Sequence, residues 1–166
     1  MFVVRATKTL LSRLGPATLG AGEESATLLG AWHATTLSWR PQVVLFVNDR
    51  TLLPVLTPLA PARTLLPRFP DTLAEVLATH RVPGAVIAAE LDHMREHRLG
   101  PTANRSVVGS MTEFAFLADT YRDSAAAPDL LALSMRLATV PCGPLYSRHI
   151  SPGRELTALL GSDAEA

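Results

Sequence analysis

The chain has 166 residues, of which 48% are hydrophobic and 18% are charged, and its 15 basic and 15 acidic residues cancel. This length favours one domain with a core large enough to fold without disulfides or metals. A chain without a surplus of Lys and Arg does not fit a general nucleic-acid or membrane binder. Because the charged share is below the roughly 25% typical of soluble domains, we expect part of the surface to be covered by self-association into a homodimer.

The cysteine content and the N-terminal residues indicate a compartment. The single Cys142 cannot form a disulfide within the chain, which fits the reducing cytosol. The first residues lack the basic start, apolar stretch and cleavage site of a secretory signal. No uninterrupted apolar stretch approaches the roughly 18 residues that span a bilayer. We therefore expect a soluble, cytoplasmic protein.

The first third of the chain predicts a small β-sheet. Short segments rich in aromatic and β-branched residues, bounded by turn residues, are typical of strands. Val43 to Val47 is an unbroken run of this kind, which predicts a central strand with both faces covered. Pro54 cannot donate a ladder hydrogen bond, which places its strand at an edge or a bulge. The predicted elements are a strand at 2–6, a short helix at 8–14 and a three-stranded meander at 29–39, 43–47 and 52–56.

After Pro58 the pattern becomes helical. Apolar residues recur at helical spacing, and Ser110 with Glu113 matches a capping box, so that one helix is predicted to begin near Met111. Residues 97–103 fit either a further strand or an extended approach to that helix. Helices are expected at 71–80, 85–94, 111–121, 129–138 and 154–160. Because strands and helices do not alternate, we predict an α+β domain over residues 1–160, with a small antiparallel sheet packed against several helices and a disordered tail at 161–166.

The segment 104–114 carries the strongest candidate for a ligand site. A helix that begins near Met111 leaves its first amides unpaired and carries a partial positive charge there, which attracts a phosphate or carboxylate. The predicted ligand-binding residues are Asn104, Arg105, Ser106 and Ser110. In the alternative interpretation, Ser110 and Glu113 simply cap the helix while Arg105 pairs with a nearby acid. Glu113 would also compete with an anion for the same amides.

His33, on a predicted strand, is the candidate catalytic residue. Because a free imidazole titrates near neutral pH, it would act as a general acid or base. The alternative is a partly buried structural histidine whose hydrogen bonds are satisfied within the fold. Asn48 and Asp49 favour the hairpin turn, and they lie where their side chains can also point towards His33.

Two further groups favour structural interpretations. Glu90, His93 and His97 have the spacing to share one helical face, as in half of a metal site. Their order is not that of a zinc protease and further ligands are not evident, so we favour a solvated polar face and predict no metal and no cofactor. Cys142, with His149 seven residues later, is better explained as a small buried residue than as a nucleophile.

Five segments together resemble a bacterial family of small single-domain proteins of unknown function. They are Phe-Val-Val-Arg-Ala-Thr-Lys-Thr-Leu-Leu at 2–11, Trp-His-Ala at 32–34, Val-Leu-Phe-Val-Asn-Asp at 44–49, Asn-Arg-Ser-Val-Val-Gly-Ser-Met at 104–111 and Thr-Val-Pro-Cys-Gly-Pro-Leu at 139–145. Thr112-Glu113 stands where this family often has Asn-Asp. The resemblance spans nearly the whole chain and implies a small single-domain bacterial protein, and it supplies no activity, catalytic residue or cofactor.

The sequence leaves three functional hypotheses. The first is a non-catalytic binding or regulatory module that recognises a protein or a small phosphate-bearing ligand through Asn104, Arg105, His33 and the sheet edge. The second is a small enzyme acting on phosphodiesters or nucleotides, in which His33 is the acid or base and Arg105 holds the phosphate. The third is a structural or oligomerising protein. The enzyme requires His33 and Arg105 in one concave pocket, whereas the structural protein requires the polar cluster to be locked in internal hydrogen bonds.

Overall fold

The computed structural model describes residues 1–122 and 126–162, in which five strands and six α-helices form the predicted α+β fold. The strands are β1 (Phe2–Ala6), β2 (Trp32–Leu37), β3 (Val43–Asn48), β4 (Pro54–Pro58) and β5 (His97–Pro101). The helices are α1 (Lys8–Leu14), α2 (Leu65–Thr79), α3 (Gly84–Asp92), α4 (Arg105–Tyr121), α5 (Leu130–Leu137) and α6 (Pro152–Leu160). Two short 3₁₀ turns lie at Ala62–Thr64 and Gly143–Leu145. Of the predicted disordered tail, residues 163–166 lie outside the described residues.

The sheet has the order β4-β3-β2-β1-β5. Strands β2, β3 and β4 form the antiparallel meander that the sequence predicts. Strand β1, however, lies parallel to both β2 and β5, so the sheet is mixed and differs here from the antiparallel arrangement expected. The reason is the connection, because α1 and the loop after it carry the chain back to the starting end of the sheet before β2 begins.

The positions of β3 and β4 in the sheet agree with the predictions from the sequence. All six residues of β3 are buried, as predicted for a central strand with both faces covered. Strand β4 lies at the edge of the sheet, and Pro54 is its first residue, where the missing amide is tolerated. The edge is held by α5, since the hydroxyl of Ser134 accepts a hydrogen bond from the amide of Leu56 at 2.9 Å.

Helix α2 covers one face of the sheet. The ring of Phe69 stacks on that of Phe46 at 4.1 Å between centroids, and it lies 5.0 Å from the ring of Trp32 and 6.0 Å from that of Phe2. All four rings are buried, and each contributes about 2–3 kcal/mol by its removal from water. This aromatic cluster fixes the starting ends of β1 and β2 in the core.

Helices α4 and α5 cover the other face of the meander. Val107, Met111, Phe114 and Ala118 of α4 are all buried, and their spacing places them in one stripe along the helix. This stripe packs with residues of β2, β3 and β4 in one apolar cluster. The stripe begins at Val107, so the first turn of α4 is fixed against the sheet next to the end of β5. No helix in the described part of the chain is long and apolar enough to cross a membrane.

Candidate functional site

The imidazole of His33 is fully buried, and both of its nitrogens are engaged. Nδ1 lies 2.6 Å from Oδ1 of Asp49, and Nε2 accepts hydrogen bonds from the amides of Ala103 at 3.3 Å and Asn104 at 3.4 Å. Because Nε2 accepts, Nδ1 is the ring nitrogen that bears a hydrogen, and it donates a hydrogen bond to Asp49. One side chain thus joins β2, the turn after β3 and the segment between β5 and α4. A role as general acid or base would require the loss of one of these contacts.

The turn that holds Asp49 is fixed by its neighbour. Asn48 is fully buried, and its Nδ2 donates to the carbonyls of Leu29 at 2.8 Å and Ala31 at 3.2 Å. Its Oδ1 accepts from the amide and the hydroxyl of Thr51. Asp49 follows directly, and its side chain is 25% exposed. The sequence raised this residue only as a turn former that points towards His33, and the hydrogen bond between them is present.

A groove of about 280 Å³ lies beside Asp49. Arg5 and Arg50 line it, together with Glu23, Glu24 and Asp49 itself. Three carboxylates therefore face two guanidinium groups, and this balance of charge disfavours an anion inside the groove.

Helix α4 begins at Arg105, six residues earlier than the sequence predicted. Asn104 is its N-cap, and its side chain accepts hydrogen bonds from the amides of the second and third helix residues at 3.0 and 3.3 Å. The predicted capping box is therefore wrong, because Ser110 and Glu113 lie inside the helix. The cause is packing: the buried stripe starts one turn before Met111, at Val107, and the helix must include that turn.

The earlier start separates the predicted site residues. Ser110 is only 4% exposed and lies in the second turn, so its hydroxyl does not face solvent beside Arg105. Glu113 is eight residues from Arg105, or about 12 Å along the helix axis. Arg105 and Ser106 remain in the first turn with exposed side chains. Within residues 1–122 and 126–162, neither of these two side chains has a hydrogen-bond or ion-pair partner.

The first turn of α4 also keeps one backbone donor available. Asn104 accepts hydrogen bonds from the amides of the second and third helix residues with its side chain, and from the amide of the fourth with its carbonyl. Among the described residues, the amide of Arg105 has no acceptor. Arg5 lies at the end of β5, where its Nη1 donates to the carbonyl of Pro101 at 3.2 Å, and it also lines the groove beside Asp49. We define the β5–α4 junction as Asn104, Arg105 and Ser106.

The three residues that the sequence presented as half of a metal site do not come together. Helix α3 ends at Asp92 and His97 opens β5, so the prediction that Glu90, His93 and His97 share a helical face is wrong. The favoured solvated face is also wrong for Glu90, which is fully buried and accepts hydrogen bonds from the amides of Leu28 and Leu29. Its role is to hold the loop before β2. Within the described residues, no group of three His, Cys, Asp or Glu side chains has the geometry to hold a metal ion.

Cys142 is a buried residue, as the sequence indicated, with 2% of its surface exposed. Burial, and next to it the charge of Glu113, raises the pKa of its thiol to about 11. His149 lies instead against Glu155, with Nδ1 2.9 Å from Oε2. A protonated thiol without a base is a poor nucleophile at neutral pH, and Cys142 serves as packing.

The family model of a domain of unknown function, DUF6933, matches residues 3–155. The chain therefore belongs to this family, as the resemblance of its motifs implied. No curated protein and no solved structure matches it.

Proposed function

We propose that this member of the DUF6933 family is a non-catalytic binding module that recognises a phosphate group on its ligand through the β5–α4 junction. One observation carries the proposal: Arg105 and Ser106 are exposed in the first turn of a 17-residue helix and lack partners within the described part of the chain. The planar fork of a guanidinium matches phosphate oxygens in pairs. The free amide and the partial positive charge of the helix start add to this preference for an anion.

The electrostatic surroundings support the same location. The first turn of α4 contains no acidic residue, and Glu113 lies too far along the helix to compete for its amides. The neighbouring groove is less suitable, because Glu23, Glu24 and Asp49 oppose an anion there.

The surroundings of His33 support binding rather than catalysis. Its ring is buried, and it stabilises the junction by accepting hydrogen bonds from the amides of Ala103 and Asn104. An acid or base in phosphodiester hydrolysis must reach the substrate within hydrogen-bond distance. In this fold His33 instead pre-organises the segment that carries Arg105.

Calorimetric titration with inorganic phosphate, phosphoserine and AMP tests the proposal. We expect at least one of these ligands to bind, and Arg105→Ala to weaken that binding by about 10- to 100-fold, because a charge-assisted hydrogen bond is lost. Arg63→Ala is the matched control, since Arg63 is also exposed and without a partner among the described residues but lies in the 3₁₀ turn at Ala62–Thr64. Its affinity should equal that of the unchanged protein.

Two results would contradict this function. The first is equal affinity of the unchanged protein and Arg105→Ala for every phosphate ligand that binds. The second is hydrolysis of bis(4-nitrophenyl) phosphate by the unchanged protein that is lost in His33→Asn while the fold is retained. That result would favour the phosphodiester enzyme.

A further inference from the structure

We propose that a second site, separate from the β5–α4 junction, binds a small carboxylic acid with an apolar body. It is a groove of about 890 Å³ where α6 packs across the ends of α5 and α2. This volume is within the range of roughly 300–1,000 Å³ that is typical of small-molecule sites. We call it the α6 groove.

The lining of the α6 groove is mainly apolar. Met135, Ala138, Pro141, Ile150 and Ala158 form much of its wall. An apolar ligand body that packs against these side chains would be removed from water, and the side chains would lose no hydrogen bonds.

Close docking of α6 shapes the groove. The amide of Gly153 donates to the carbonyl of Ala138 at 2.9 Å. A Cβ on Gly153 would lie 3.3 Å from that carbonyl oxygen and 3.6 Å from Cε1 of His80. The glycine therefore lets the start of α6 approach α5 and His80 closely.

The charge of the lining selects the head group of the ligand. The lining residues of the α6 groove include no acid, whereas Arg154 is exposed and, among the described residues, has no partner. His149 also lines the groove, but its Nδ1 lies 2.9 Å from Oε2 of Glu155 and is already engaged there. A carboxylate at the rim would form the missing ion pair with Arg154.

His80 supplies a second, independent indication of a ligand. It follows the last residue of α2, and its Nε2 is buried without a hydrogen-bond partner among the described residues. Burial lowers the pKa of His80, so the ring is neutral at pH 7. Buried polar atoms in folded proteins nearly always have a partner. An oxygen of the carboxylate that pairs with Arg154 would provide one for this nitrogen, since the His80 ring lies against Gly153, the residue before Arg154.

Three probes with the same chain and different head groups test the site: decanoate, decanol and decylamine, each below its micelle concentration. We expect saturable 1:1 binding of decanoate by calorimetry, with amide NMR shifts concentrated in residues 135–158. Arg154→Ala should weaken decanoate by about 10-fold or more and leave decanol unchanged. Ala158→Trp should block all probes, because this exposed position lines the groove and tolerates a large side chain. The imidazole ¹⁵N shift of His80 should change on binding of decanoate.

Arg63→Ala is the control here, and it should bind decanoate like the unchanged protein, because Arg63 is exposed and does not line the α6 groove. Equal binding of decanoate and decylamine would overturn the proposal. So would shifts outside the groove, an unchanged His80 signal, or a dimer of this chain that occupies the groove and excludes decanoate.

Discussion

Replacement of His33 separates a structural role from a catalytic one. The ring is fully buried and connects three segments through Asp49, Ala103 and Asn104. His33→Phe retains the volume of the ring and removes its hydrogen bonds, whereas His33→Ala removes both. A residue held at a surface for chemistry would tolerate either change with little loss of stability.

The magnitude follows from the contacts that are lost. The hydrogen bond to Asp49 is charge-assisted and short, and such bonds contribute about 1.5–3 kcal/mol. The amides of Ala103 and Asn104 make longer contacts, so each adds about 0.5 kcal/mol. We therefore expect His33→Phe to lower the free energy of unfolding by about 2.5–4 kcal/mol. His33→Ala also leaves a cavity and should cost about 3–5 kcal/mol.

Urea denaturation followed by circular dichroism measures these free energies. His93→Ala is the control, because His93 is exposed and should change stability by less than about 0.5 kcal/mol. A loss of less than about 1 kcal/mol in His33→Ala would show that His33 does not connect the three segments.

Four further predictions follow from single features. Asn104→Ala should lower the free energy of unfolding by about 1 kcal/mol in urea denaturation, because the N-cap is lost. Asn104→Asp can still cap the helix and should retain most of that stability, so equal losses in the two variants would argue against capping. Because burial lowers the pKa of His80, the folded state binds fewer protons than the unfolded state below about pH 6.5. The free energy of unfolding should therefore fall as the pH falls from 6.5, and His80→Gln should reduce that fall. Because the pKa of Cys142 is raised from 9.0 to about 11, stability should decline as the pH rises through 9 to 11, and Cys142→Ala should remove this decline. Self-association into a homodimer stays a prediction from the low charge content, and a monomer mass in light scattering at high protein concentration would end it.

Local sequence rules worked where neighbouring residues decide the structure. The β-branched run at 43–47 predicted a central strand and Pro54 predicted an edge, because burial and a missing amide act at the residue itself. The start of α4 was missed because Ser110 and Glu113 match a capping box, whereas the N-cap that forms is Asn104, six residues earlier. Packing of Val107 on the sheet decides between them.

The candidate site was predictable in part. In the antiparallel register His33 pairs with Val47, and Asp49 lies two residues further on the same side, so alternation along the meander would have found their contact. The hydrogen bonds that His33 accepts from the amides of residues 103 and 104 depend on the parallel pairing of β1 with β5, which no local pattern encodes. The α6 groove likewise depends on helix packing between segments distant in sequence.

The most direct test of phosphate recognition is an NMR titration of ¹⁵N-labelled protein with inorganic phosphate. We expect the amides of Arg105 and Ser106 to show the largest shifts. These shifts should saturate, disappear in Arg105→Ala and persist in Arg63→Ala. Saturable shifts centred elsewhere, or shifts at the junction that survive in Arg105→Ala, would contradict it.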